Sequence, residues 1–150
     1  MEQFFVDYFE RLQDLHRDFV AAFEDLPMEA LDWVPGENIN SLCVLVVHTV
    51  GATRFWIGDV ALEETSNRDR SAEFKAQGLS VVELKGRFAT LEEYAHHALE
   101  RLTLADLAIV RSVVGRNEKV SVSWALLHAL EHTGLHLGHA QLMRQFWELR

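Results

Sequence analysis

Four of the eight histidines in this chain fall within twelve residues, at His128, His132, His136 and His139. On a helix each residue turns about 100°, so these spacings hold all four imidazoles within an arc of roughly 80°. Every ring nitrogen wants a hydrogen-bond partner, which makes such a stripe costly against an apolar core. Several imidazoles aimed one way from a rigid rod suit a divalent transition metal instead. His132 and His136, one turn apart, can reach one ion together, the geometry that HExxH helices use. The stretch here is His132-Thr133-Gly134-Leu135-His136, without that glutamate, and the metalloprotease reading does not apply. Three imidazoles form a recognised catalytic shell with a position left open to water or substrate. A ligand from another helix has to close it, and His48, in the middle of the apolar run from Leu42 to Val50, is the candidate. His128 and His139 flank the pair, where they could hydrogen-bond a ligand, relay protons or touch a bound substrate. Zinc, nickel and iron all suit three imidazoles. The competing reading is a histidine stripe that faces water or a second subunit and holds no metal.

The elements that must position these groups can be taken in order. Phe5, Phe9, Leu12, Leu15/His16, Phe19 and Phe23 recur at three- and four-residue steps and predict a helix from about Gln3 to Glu24. His16 is expected at its core edge or on its surface. Proline disfavours helix in the residue before it, so this helix stops near Leu26-Pro27. Residues 25–40 form a connection with a short helical turn around Glu29 to Leu31, and the Trp33 ring covers the end of the core. Asn40 or Ser41 caps a second helix to about Asp59. Its first part is apolar nearly all round, so it should be covered on most sides. From Glu63 to Leu79 the chain turns polar, a long surface connection with a helical turn at Ser71 to Phe74, of the kind that serves as a lid or interface.

Ser80 and Glu83 make a capping box that opens a third helix, predicted to run to about Ala105. His96 and His97 are adjacent on it, hence about 100° apart, and are expected to face solvent or an interface. Around Gly115-Arg116-Asn117 the β-prone runs Val110–Val114 and Lys119–Val122 predict a small hairpin or an extended loop. Ser121 or Ser123 caps the final helix to about Trp147. Along it Leu127, Leu130, Leu135, Leu142 and Phe146 are expected to leave little room for the histidine arc to be the exposed side, and Gly134 and Gly138 to mark a close helix approach.

The chain's 150 residues suit a single domain. An apolar share of 49% with 25% charged residues is that of an ordinary soluble globular protein. A net charge of −9 without any basic run argues against nucleic acid as a partner. The first residues lack the pattern of a signal peptide. The longest apolar run, Leu42 to Val47, falls far short of the roughly 20 residues that span a bilayer, so no membrane partner is expected. The single cysteine, Cys43, permits no internal disulfide, reads as a small buried hydrophobe and is consistent with a cytoplasmic protein.

Trp33-Val34-Pro35, Asn40-Ser41-Leu42 leading to His48, and His132-Thr133-Gly134-Leu135-His136 followed by Gly138-His139 and Leu142-Met143-Arg144 carry a resemblance. They resemble the DinB-like superfamily of metalloenzymes, which includes bacterial low-molecular-weight-thiol S-transferases and maleylpyruvate isomerase-type domains. The resemblance implies an all-α fold, a four-helix bundle of up-down-down-up type with a long crossover between helices 2 and 3. It places the metal on His48, His132 and His136 and implies a homodimer. It further implies that a small thiol bound as thiolate attacks a small electrophile, with His128 or His139 relaying protons. A metal-dependent hydrolase and a non-catalytic, stress-associated homodimeric metal-binding module are the alternatives. One departure stands out: many relatives have glutamine after an Arg-Gly pair where this chain has His139, and arginine where it has Leu137. That puts the surroundings of the metal ligands in question.

Overall fold

Amphipathic spacing builds α1 (Gln3–Ala21), which buries Phe5, Tyr8, Leu12, His16 and Phe19 along one face. This computed structural model describes all 150 residues. A short α2 (Met28–Asp32) follows the first proline. Ser41 Oγ then accepts the Val44 N–H at 3.2 Å and starts α3 (Leu42–Arg54). The helix expected to reach Asp59 changes character before its end, since Phe55–Ala61 winds as a π-helix with all seven residues buried. Such widened turns cluster at functional sites.

The crossover from residue 62 to 80 carries α4 (Arg70–Glu73), capped by Asp69. Asp59 ties its beginning down, accepting from Ser66 Oγ at 2.6 Å and from the Ser66 N–H at 3.0 Å. Both halves of the Ser80–Glu83 capping box are formed, and α5 spans Val81–Leu99. It ends about six residues before the expected Ala105. A second capping box, Thr103 with Asp106, opens a separate 3₁₀ turn over Leu104–Ala108. The hairpin consists of β1 (Val110–Ser112) and β2 (Lys119–Ser121), antiparallel with Arg111 opposite Val120. Ser121 caps α6 (Val122–Leu149) by accepting the Trp124 N–H.

Contacts along the helices fix their directions. Tyr8 donates to the Leu126 carbonyl, Leu15 meets Gly134 and Arg144 reaches the Ala21 carbonyl, so α1 and α6 run parallel. His16 and Phe9 of α1 meet Glu92 and His96 of α5, which therefore runs the other way. His48 of α3 and Trp56 of the π-helical stretch that continues it meet His132 and Trp124 of α6, again antiparallel. The long helices thus form the expected up-down-down-up bundle, all-α apart from the hairpin. Leu42–Ala61 is long and apolar enough to cross a membrane by composition, but its most apolar stretch is 78% buried inside the bundle, which makes it a core helix.

The core is two apolar clusters, one around Phe5, Leu12, Trp56, Leu99 and Leu126, the other around Phe19, Phe23, Leu42, Leu84 and Met143. Between them lies a polar layer: His16 on α1, His48, Thr49 and Thr53 on α3, Thr133 and His136 on α6, all buried. His16, expected at the edge or surface, is in fact enclosed, with Nδ1 2.9 Å from Glu92 Oε1 and its ring against Phe88. Trp33 lies against Trp147 at one end of the bundle, as expected, and Cys43 is buried.

The face of α6 that packs is not the one the leucines suggested. Val122, Ala125, Leu126, Ala129, Thr133, Leu137, Ala140 and Met143 are buried, whereas Leu127, Leu135, Leu142 and Phe146 are exposed. Gly134 has only one neighbour near its missing Cβ and Gly138 has none, so neither marks a close approach. Small residues fill the contact because the bundle interior already holds the imidazoles.

Thr49 Oγ1, in the polar layer, has no protein partner. A buried hydroxyl left unpaired costs free energy. Thr49→Val keeps the shape and deletes the hydroxyl, so it should raise the melting temperature by several degrees, about 1 kcal/mol. A fall in Tm would mean that an ordered water pairs with the hydroxyl.

Candidate metal centre

The structure brings His48, His132 and His136 together at the middle of the α3–α6 contact. His132 Nε2 lies 3.2 Å from His48 Nε2 and 3.2 Å from His136 Nε2. One ring nitrogen from each of the three falls within 4.8 Å of the others, a group able to hold a metal ion. Nitrogens bound at 2.0–2.1 Å around a tetrahedral ion stand roughly 3.4 Å apart, so the shell needs little movement to close.

What surrounds the three rings decides which nitrogen faces inward. Glu73 Oε2 lies 2.9 Å from His48 Nδ1, and Arg68 donates to the same carboxylate through Nε at 2.6 Å and Nη2 at 2.8 Å. Burial alone would raise the Glu73 carboxyl, but the hydrogen bonds from Arg68 and His48 outweigh it and hold it below its ordinary range. An ionised carboxylate only accepts, so His48 Nδ1 donates and its Nε2 presents a lone pair to the centre. His136 Nδ1 lies 3.2 Å from His139 Nδ1, and His136 Nε2 is the nitrogen that faces His132. His132 Nδ1 is buried without a protein partner. The donor set fits a divalent ion of the imidazole-preferring kind.

Glu73 and Arg68 belong to the polar stretch read as a surface connection. In the fold that stretch packs a carboxylate, 7% exposed, directly behind His48. Gly51, one turn after His48, makes room for it, since a Cβ there would sit 2.2 Å from Glu73 Oε1. The sequence held one signal for this pair, an arginine just before the helical turn expected at Ser71 to Phe74 and a glutamate within it. The Phe74 ring, 37% exposed, covers His48 at 4.6 Å between centroids.

His128 lies one turn before His132, stacked on Trp124 at 4.7 Å and edge-on to Trp56 at 4.7 Å. It does not join the three-ring group, and its Nδ1 faces Glu131. His139 is exposed and lines a cleft of ≈ 260 Å³ with Ile39, Asn40, Leu45, Leu142 and Phe146. His96 and His97 are far round the bundle on α5, where His96 meets Phe9.

Burial first, then the neighbouring imidazoles, push the protonation of His132 down from 6.5 to about 3 and that of His136 to about 4. Both rings are therefore neutral and available as ligands at physiological pH.

The model of the mycothiol-S-transferase family matches residues 8–148. A crystal structure of a conserved protein from Enterococcus faecalis superposes with a TM-score of 0.76 at 15% identity, covering 97% of each chain. At that identity the likeness is one of fold. No curated protein matches the chain in sequence.

The depressed histidines give a pH dependence whose sign is fixed. Below 6.5 the unfolded chain takes up protons that the folded rings refuse until about 4 and about 3. Stability of the chelator-stripped protein should therefore be full above pH 6.5 and fall as the pH drops through that window. Thermal melts from pH 7.5 to 4.5 measure it, and His132→Asn should flatten the slope.

Proposed function

This chain belongs to the mycothiol-S-transferase family, within the DinB-like superfamily, and on that premise we propose that it is a metal-dependent S-transferase joining a low-molecular-weight thiol to a small electrophile. The observation that carries this reading is the convergence of three inward-facing Nε2 atoms, from His48, His132 and His136, on one point. A divalent ion held there would supply a Lewis acid that keeps a thiol sulfur deprotonated at neutral pH. Mycothiol is the thiol that the family name suggests.

The chain's own groups have separable tasks. His48, His132 and His136 would hold the ion, and Glu73, clamped by Arg68, fixes the His48 ring. His139 steadies the His136 ring through its contact with Nδ1. His128, free of the three-ring group and fixed between two tryptophans, is the proton acceptor for the incoming thiol. The reaction forms a carbon–sulfur bond while the electrophile's bond to halide or epoxide oxygen breaks; the thiol proton leaves with the halide, or passes to the opened epoxide oxygen. The 260 Å³ cleft beside His139 suits a small, largely apolar electrophile.

The exposed stripe of α6 supports self-association. Trp124, Leu127, Leu135, Leu142, Phe146 and Leu149 are between 42% and 83% exposed and share one face along the whole helix. A contiguous apolar stripe of this kind on a surface helix marks an interaction face. Gly138 on the same face has open space around it, which lets a second helix approach. The occupant we propose is a second copy of this chain, packed α6 against α6.

Purified metal-loaded protein, incubated with mycothiol, glutathione or cysteine and a model aryl halide or epoxide, tests the reaction. Thioether should form with one of the thiols and not with His132→Ala, and no thioether with any thiol would refute the S-transferase reading. Glu73→Gln should retain the fold and weaken metal binding by roughly 10- to 100-fold, measured by competition with a chromogenic chelator.

Light scattering after size exclusion tests the pairing. The wild type should run as a dimer and Leu135→Glu as a folded monomer; a monomeric wild type at micromolar concentration rules the interface out.

A further inference from the structure

A second group of metal-ligating side chains lies outside the three-histidine centre. His96, His97 and Glu100 sit on the last turn of α5, and one donor atom from each lies within 4.8 Å of the others. Glu100 Oε2 is 3.8 Å from His96 Nδ1 and 3.4 Å from His97 Nδ1. The first separation is too long for a hydrogen bond and the second is marginal. Both are close to the spacing of donors around a shared ion, about 3.4 Å for bonds of 2.0–2.1 Å. We propose that His96, His97 and Glu100 form a second, solvent-exposed site for an imidazole-preferring divalent transition metal of the zinc or copper class.

Several features of the turn favour a cation. Glu100 is the C-cap of α5, so the donors surround the negative end of a 19-residue helix. The backbone there is held in place, because the Glu100 N–H bonds to the His96 carbonyl. His96 is fixed further by its edge-on contact with the Phe9 ring, 5.2 Å between centroids. Restricting a ring before the ion arrives lowers the entropy cost of binding. The neighbouring positive charge of Arg101 is paired with Glu64 and does not oppose an incoming cation.

The sequence pattern around the three donors is also one that helices use for metals. Glu93-x-x-His96-His97-x-x-Glu100 places a glutamate one turn before the histidine pair and another one turn after it. Helical geometry puts all four positions on one face, within an arc of roughly 100°. Glu-x-x-His is also the pairing by which helix bundles hold metals internally. Here it faces water, so the remaining coordination positions stay open to solvent. Exposed donors that must each be held against solvent bind more weakly than buried, preoriented ones, which separates this site in affinity from the three-histidine centre. It lies on α5 beside α1, whereas that centre is enclosed between α3 and α6.

The test is a zinc titration of the chelator-stripped full chain, followed by calorimetry. Two classes of site are expected, one equivalent each. His97→Ala and Glu100→Gln should each weaken the looser class by roughly tenfold or more and leave the tighter one unchanged. His132→Ala should do the reverse, so failure of the inner site is read separately. Copper(II) at substoichiometric amounts gives the location, broadening backbone amides near 93–101 in NMR spectra of His132→Ala. A single class in the wild type, a looser class that survives both α5 substitutions, or broadening confined to other segments would overturn the proposal. Both substituted positions are exposed, so loss of folding does not confuse the result.

Discussion

The hydrogen bond between His48 and Glu73 holds the rest of the site in place. An imidazole in the middle of an apolar helix is tolerable only if its nitrogens are paired, and Glu73 supplies the pairing from a segment 25 residues further along the chain. The carboxylate would itself be costly to bury, and Arg68 compensates it with two short hydrogen bonds. Removing any one of the three leaves a buried polar group without a partner. The chain therefore fixes the direction of one ring nitrogen through a linked set of an arginine, a carboxylate and an imidazole. This arrangement is known to raise the basicity of metal ligands and set their tautomer.

Seen from the core, the site is part of a wider layer. Two apolar clusters are separated by side chains that hydrogen-bond: the His16–Glu92 pair on one side of the bundle, the Thr53–Thr133 pair and the three histidines on the other. A continuous apolar core would be simpler to pack, but it could not hold neutral imidazoles in a fixed orientation. The layer also explains the helix contacts. Thr133 turns its hydroxyl back onto the Ala129 carbonyl, the small Ala129 and Ala140 are fully buried, and rings from α3 and α6 meet. Burial at this depth keeps His132 and His136 unprotonated, which is the state a metal requires.

The crossover between α3 and α5 has more than a connecting role. It is anchored at its start by Asp59, at its middle by the Arg68–Glu73–His48 chain and near its end by Asp32, which accepts the Gly78 N–H. A connection of this length with so many fixed points is ordered by its polar contacts and presents Phe74 over the His48 ring. The π-helical turn at Phe55–Ala61 serves the other flank, placing Trp56 against His128 and Trp124. Aromatic rings thus border the three histidines from two directions.

By itself the sequence determined the elements, because their signals are local. Periodicity gave α1, capping residues gave the starts of α3, α5 and α6, and β-prone runs around Gly115 gave the hairpin. The stripe of histidines and the lone His48 also pointed to one another through residue chemistry alone. Only the tertiary structure decided which nitrogens face inward, since that depends on Glu73 and His139 and on no spacing. It also decided which side of α6 is buried: leucines at 127, 135 and 142 carry a stronger apolar signal than the alanines that pack, and hydrophobicity cannot distinguish a core face from a face left for a partner. The end of α5 at Leu99 and the π-helical turn were invisible for a related reason. Both are set by how neighbouring helices meet, and a chain read one residue at a time does not contain its neighbours.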